Sequence, residues 1–183
     1  SVAEKVDLKN EFDSYRARRG EFRVLDLPTR RYLMIDGHGD PNTATFTTAV
    51  ESLYPVAYTL KFASKNELGR DYVVPPLEGL WWAEDMSTFT TARDKSAWDW
   101  TLLLLVPDWV PPAMVEAAIE QVDRTKAPPR AADVLAQLHQ EVIPAHGFTL
   151  AGKHHEIYLS DVRRTAPHRL RTILRQPVTG GRT

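Results

Sequence analysis

The chain has 183 residues, of which 43% are hydrophobic, enough for one domain or two fused repeats with a buried core. Its 23 basic and 24 acidic side chains nearly cancel, which argues against a nucleic-acid partner, since such a surface needs a basic excess on one face. There is no cysteine, so disulfide scaffolds, thiolate nucleophiles and cysteine-ligated metal centres are excluded.

Residues 1–20 are polar and basic and are expected to be loosely held. They show neither the apolar stretch of a signal peptide nor a helix–turn–helix pattern, so a complete transcription factor is not expected. Residues 22–27 alternate Phe22, Val24, Leu25 and Leu27 and predict a strand. A second strand is predicted over 31–35, closed by the turn signal Asp36-Gly37-His38-Gly39-Asp40-Pro41. Phe46, Val50, Leu53, Ala57 and Leu60 then recur at helical spacing, with Asn42 or Thr43 placed to cap the helix. Pro55 lies inside this pattern and should kink or divide it.

Strands are predicted over 71–82, broken by Pro75-Pro76, and over 98–106. Pro112 opens a helix whose face is Val115, Ala118, Ile119 and Val122, because proline at the first helical position loses no bond. A further helix is predicted from Val134, Leu135, Leu138 and Val142, ending near Pro144 and Gly147. Strands follow over 153–159 and 171–178, joined by a turn at Pro167. Helices recur between strand pairs rather than single strands. The expected class is therefore α+β, an antiparallel sheet with helices on one face. The longest apolar run, residues 102–106, is far too short for a bilayer, so no membrane partner and a cytoplasmic location are expected.

No nucleophile elbow, phosphate loop, dinucleotide fingerprint or helical zinc motif is present. His154 and His155 are adjacent on a strand, so they point to opposite faces and do not chelate one metal together. No metal and no cofactor are expected.

The most informative stretch is Lys153-His154-His155-Glu156-Ile157-Tyr158-Leu159-Ser160-Asp161. Alternation places His155, Ile157 and Leu159 on one face, expected to meet the helices, and His154, Glu156 and Tyr158 on the other. Spacing alone leaves open an ordinary solvated sheet face or a site. Trp81, Trp82, Trp98 and Trp100 cluster in two predicted strands, and Tyr54 and Tyr58 lie one turn apart on the long helix. Aromatic rings beside a carboxylate make a box for a planar cation. In a dry box burial raises the pKa of Glu156, and an acid beside a tyrosine hydroxyl is competent for proton transfer.

Four stretches together resemble the GyrI-like small-molecule-binding family. They are residues 32–41 (YLMIDGHGDP), 76–82 (PLEGLWW), 155–161 (HEIYLSD), and Arg163-Arg164-Thr165-Ala166-Pro167 with Leu174-Arg175. The similarity runs from about Gly20 to Val178. The resemblance implies a flexible segment over 1–20 and a single domain over 21–179. That domain would consist of two strand–helix–strand–strand repeats, about 21–110 and 111–179, with a ligand cleft between them. It implies a planar aromatic small-molecule ligand, cationic or electrophilic, and a monomer or weak homodimer. Some stand-alone members of the family are cyclopropanoid cyclopropyl hydrolases, which open the strained ring of DNA-alkylating compounds and so detoxify them. By position, Glu156 and Tyr158 would be the catalytic pair. Tyr54, Tyr58, Trp81, Trp82 and Trp100 would join them as ligand-binding walls. A multidrug-binding sponge or sensor without turnover is the alternative, with a gyrase-inhibitor-like interaction protein a more distant one. The second repeat departs from the family pattern: residues 125–129 run almost directly into the next helix. The expected first strand near Pro129 to Ala132 is missing, and one sheet edge would be left unpaired.

Overall fold

The structure, a computed structural model, describes residues 4–125, 135–139, 148–150, 153–161 and 164–180. A short helix α1 (Leu8–Glu11) and a 3-10 turn (Asp13–Tyr15) precede strand β1 (Arg30–His38). Then come helix α2 (Ala44–Leu68), strands β2 (Leu77–Trp82) and β3 (Asp99–Val106), and helix α3 (Pro112–Arg124). Strands β4 (Leu135–His139), β5 (Phe148–Leu150), β6 (His154–Tyr158), β7 (Thr172–Arg175) and β8 (Val178–Gly180) complete the described chain. Six strands form one sheet in the order β4-β1-β3-β2-β6-β7, and every pairing in it is antiparallel. This is the expected α+β class, and β1, α2, β2 and β3 follow one another as strand, helix, strand, strand.

Alternation sorts the strands into two apolar faces. Leu33, Ile35, Leu77, Trp81, Trp100, Leu102, Leu104 and Val106 face α2 and α3 on the front. Tyr32, Met34, Leu80, Leu103, Leu105, Ile157 and Ile173 face the back. Helix α2 lays Val50, Leu53, Val56 and Leu60 on the front, all at most 4% exposed. At roughly 1.5–3 kcal/mol per buried apolar side chain, these four outweigh the roughly 3 kcal/mol cost of an interior proline. The helix accordingly runs through Pro55 undivided. It stops at Gly69, which takes the left-handed conformation (φ 67°) that a helix end favours. Thr43 is its N-cap residue, but the Thr43 hydroxyl donates to the Asp40 carbonyl instead of receiving a helix amide. In α3, Pro112 opens the first turn and Val115, Ala118 and Val122 are buried, as the periodicity predicts.

Several expectations are corrected. The N-terminal segment is not loose throughout: Leu8 and Tyr15 are 4% and 3% exposed and cover the back of the sheet. Residues 22–27 form no strand, and Phe22 is 99% exposed. The helix predicted from Val134 to Val142 is, over Leu135–His139, a strand paired with β1. A free sheet edge offers a row of backbone donors and acceptors, and here that outweighs a weak helical periodicity. The outer edge of β1 is therefore paired rather than open. The expected gap near residues 129–132, the predicted helix end at Pro144 and Gly147, and Arg163 lie outside the described residues. The strand predicted over 171–178 divides into β7, on the main sheet, and β8, which pairs with β5 in a second sheet. No helix among the described residues is long and apolar enough to cross a membrane.

Candidate functional site

Strand β6 lies beside β2 with Tyr158 opposite Leu77, Glu156 opposite Gly79 and His154 opposite Trp81. Tyr158 packs into the front core, while Ile157 is in the back cluster. This reverses one expectation: Glu156 and Tyr158 share the helix-bearing face, and Ile157 meets the N-terminal segment. The long helix covers only part of the front, and the half-buried row His154, Glu156, Tyr158 lies at its margin.

The front side chains form a hydrogen-bonded chain. The Trp81 indole N–H donates to the Tyr158 oxygen at 3.1 Å, and the Tyr158 hydroxyl donates to Glu156 Oε2 at 2.7 Å. His154, in its Nε2–H tautomer, donates to Glu156 Oε1 at 3.1 Å. Gly79 makes this possible: a Cβ there would lie 2.8 Å from the Trp81 indole nitrogen and 3.0 Å from the Tyr158 oxygen.

Aromatic walls rise from this floor. Phe46, from the first turn of α2, stacks on Trp81 with centroids 6.1 Å apart. Trp98 stands edge-on to Trp81 at 6.1 Å and stacks on Phe89 at 4.5 Å. The Trp98 indole N–H is tied to the Thr88 carbonyl at 3.1 Å, which fixes that wall. With Pro41 and Asn42, these groups enclose an open cavity of about 410 Å³ that ends on His154, Glu156 and Tyr158.

Not every sequence-predicted wall is there. Trp100 is fully buried beneath the cavity, with its ring edge-on to Phe46 and its indole N–H donating to the Gly39 carbonyl at 3.2 Å. It supports the wall without lining it. Trp82 lies on the back, where the Lys153 ammonium rests 3.5 Å over its ring. Neighbours on one strand cannot share a face, so only Trp81 joins Glu156. Tyr54 and Tyr58 are 6.3 Å apart and line a separate cavity of about 180 Å³, in which Tyr158 is the shared wall. Phe46 and Phe89 are the site residues that the sequence reading passed over, while Trp98 and His154, named there in the tryptophan cluster and on the face of Glu156, line the cavity without having been assigned to it. The available signal was the spacing of Trp98 and Trp100, which places both on the face of Trp81.

The electrostatics also differ from expectation. Burial pushes the Glu156 carboxyl up. The hydrogen bonds from His154 and Tyr158, with the charges of His154 and His155, outweigh it and hold the carboxyl below its usual value. Tyr158 is held well above the usual phenol range, first by burial and then by the Glu156 charge. At neutral pH the pair is a carboxylate and a protonated phenol.

A pH dependence follows. Folding lowers the Glu156 pKa, so its contribution is fully present above the unfolded value of about 4.3 and is lost as pH falls through the folded value. Urea midpoints measured from neutral to acidic pH are expected to fall more steeply for wild type than for Glu156→Gln below about pH 5, and to run parallel above it. Parallel curves throughout would mean that the hydrogen bonds at Glu156 do not persist in solution.

No protein-family model and no curated protein matches the chain. Solved structures do. An uncharacterized conserved protein from Listeria innocua is 32% identical, with 96% of this chain and 100% of that one covered and a TM-score of 0.81. A protein described as a hydrolase from Listeria innocua is 31% identical over the same shares, with a TM-score of 0.80. A further structure described as a hydrolase from Listeria innocua is 30% identical, also over 96% and 100%, with a TM-score of 0.76. With about three residues in ten identical along nearly its whole length, the chain belongs to the family of these Listeria innocua proteins.

Proposed function

We propose that this chain is a GyrI-like small-molecule-binding domain that holds planar, aromatic, cationic or electrophilic compounds between Trp81, Phe46 and Trp98, and adds water to those carrying a strained cyclopropane. The observation that carries this reading is the Trp81–Tyr158–Glu156–His154 hydrogen-bonded chain on the floor of an aromatic cavity of about 410 Å³. Flat rings stack on the indole and phenyl walls, and the ionised carboxylate offsets a ligand's positive charge. The hydrolase descriptions of two relatives support turnover.

The chemistry balances within the chain. Glu156 accepts a hydrogen bond from water, and Tyr158 turns its hydroxyl to a substrate carbonyl conjugated with the ring. The water oxygen bonds to a ring carbon and the strained carbon–carbon bond breaks. Its electron pair moves through the conjugated system to the carbonyl oxygen, which takes the Tyr158 proton. The proton lost by water goes to Glu156 and returns to the Tyr158 oxygen, 2.7 Å away in the resting site. One water is added and both side chains are restored. The carboxyl is held low and the phenol high, so the acid–base push is modest. The substrate must bring most of the reactivity, which restricts turnover to strained electrophiles.

The test is a titration of a fluorescent planar cation, a rhodamine, against wild type and Glu156→Gln, followed by mass spectrometry of a cyclopropane-bearing electrophile incubated with each. Binding weakened at least tenfold in the variant, about 1.4 kcal/mol, with water gained only in the presence of wild type, is the expected result. Binding without water gain would leave a non-catalytic drug-binding module. Neither binding nor water gain by wild type would overturn the reading.

A further inference from the structure

A groove that the aromatic site leaves unused lies at the edge of the main sheet. Strand β7 ends the sheet order, and among the described residues only β6 pairs with it. The groove has a volume of about 460 Å³, against about 410 Å³ for the aromatic cavity. Phe22, Val24, Leu25 and Leu27 line it from the segment before β1, and Ile173 and Leu174 line it from β7. Ile173 and Leu174 are neighbours on one strand and point to opposite faces, so the groove follows the strand's edge. Phe22 is 99% exposed, Leu174 66% and Val24 41%. Large apolar side chains gathered in the open around one concavity, with few polar groups among them, are the usual make-up of a small-molecule site.

The polar groups of this groove are mainly basic. Its lining holds Arg16, Arg23 and Arg175 against one acid, Glu21. Arg23 is paired with Asp13 at 2.8 Å. The Arg16 guanidinium donates to the Asn10 carbonyl and that of Arg175 to the Ser14 carbonyl. Among the described residues, no carboxylate pairs with either. A carbonyl occupies part of a guanidinium's five-donor fork and none of its charge. Ser14, Leu27 and Arg175 also line a small adjoining cavity with Arg30, which brings a further cation to that end. His154 lines both the groove and the aromatic cavity, and Glu156 lies on the far side of it. The two cavities are opposite in character: a carboxylate among rings at the front, guanidiniums beside apolar side chains at the edge.

We propose that the edge groove is a second binding site, which takes one amphipathic anion: an apolar body with a single carboxylate or sulfonate, of the kind a free fatty acid presents. The apolar body covers Phe22, Val24 and Leu174, and the anion is held by the donors that Arg16 and Arg175 have left over. The same guanidiniums repel a cation, so the two cavities sort ligands by charge. An anionic bilayer offers the same chemistry, but a concave groove of this volume fits one free molecule. The site goes beyond the proposed function and does not rest on it.

The experiment is a fluorescence titration of the full chain with cis-parinaric acid, a polyene fatty acid that brightens in apolar surroundings, kept below the concentration at which it aggregates. Saturable binding of one molecule per chain is expected. Leu174→Asp places a carboxylate in the groove on a side chain that is already exposed. It is expected to weaken parinarate binding by about tenfold or more, while the rhodamine titration stays as in wild type. Dodecanoate is expected to displace the probe about tenfold or more better than dodecylamine, the same chain with a cationic end. If Leu174→Asp does not fold, Phe22→Ser takes its place, with the same loss expected. Undiminished binding in the folded variant, equal displacement by the acid and the amine, or no binding by wild type overturns the proposal. Binding to phosphatidylglycerol vesicles without binding to monomeric parinarate overturns it too, and would assign the basic edge to a membrane surface. A wild type that takes parinarate but no rhodamine would refute the proposed function and leave this site standing.

Discussion

Gly37→Ala is expected to destabilise the protein by about 3 kcal/mol, at the top of the usual range for overpacking a core. Gly37 lies opposite Trp100 in the β1–β3 ladder, and the indole lies flat across the bare backbone. A Cβ there would stand 2.0, 2.2 and 2.4 Å from three carbons of the ring. The ring has nowhere to go, because Trp100 is 0% exposed and Phe46 closes on it at 5.2 Å. For a chain of this size the loss corresponds to a fall of about 6–12 °C in Tm. The same exchange in a Trp100→Leu background is expected to cost far less, and the coupling in this double-mutant cycle measures the clash directly. Equal stability of Gly37→Ala and wild type would mean that Trp100 does not pack on β1 as described. Because Trp100 carries Phe46, and Phe46 is a wall of the cavity, the variant should also bind a planar cation more weakly even where it remains folded.

Strands β2 and β6 show which features local sequence can reveal. The alternation in β6 separated Glu156 and Tyr158 from His155 and Ile157 correctly, because a period of two is a property of the strand itself. It could not say which set meets the helices. That choice depends on what covers the back, and the cover comes from Leu8 and Tyr15, far away in a polar segment that looked loosely held. Trp81 and Trp82 illustrate the same limit: alternation admits only one to the site, and the register with His154 selects Trp81. The Glu78–His155 pair was invisible for a related reason. Each residue alone reads as a polar position on a strand, and only the adjacency of β2 and β6 makes them partners. Helix α2 was the most legible element, since five apolar residues at helical spacing outweigh one proline. Strand β4 was the least legible, because its conformation is set by the open edge of β1 rather than by its own periodicity.

Gly79→Ala is expected to act on the site far more than on the fold, and the contrast with Gly37 lies in what the new methyl group meets. At Gly79 the nearest atoms are the Trp81 indole nitrogen at 2.8 Å and the Tyr158 oxygen at 3.0 Å, both at the ends of side chains beside an open cavity. They can yield, but only by parting the 3.1 Å hydrogen bond that joins them. Tyr158 then loses its fixed position over Glu156, and Trp81 loses the tilt that lets Phe46 stack on it. A fall in planar-cation affinity of about tenfold or more, equivalent to about 1.4 kcal/mol, is expected alongside a small change in Tm. Tyr158→Phe separates the two contributions, since it removes the hydroxyl while leaving Gly79 and the stack of Trp81 on Phe46 in place. Affinity lost in Gly79→Ala but kept in Tyr158→Phe would assign recognition to the aromatic walls. Affinity lost in both would assign it to the hydroxyl that Trp81 and Glu156 hold between them. Full affinity in Gly79→Ala would show that the ligand does not rest on this floor at all, and the carboxylate would then have to be reached from the Tyr54–Tyr58 side, where Tyr158 is the shared wall.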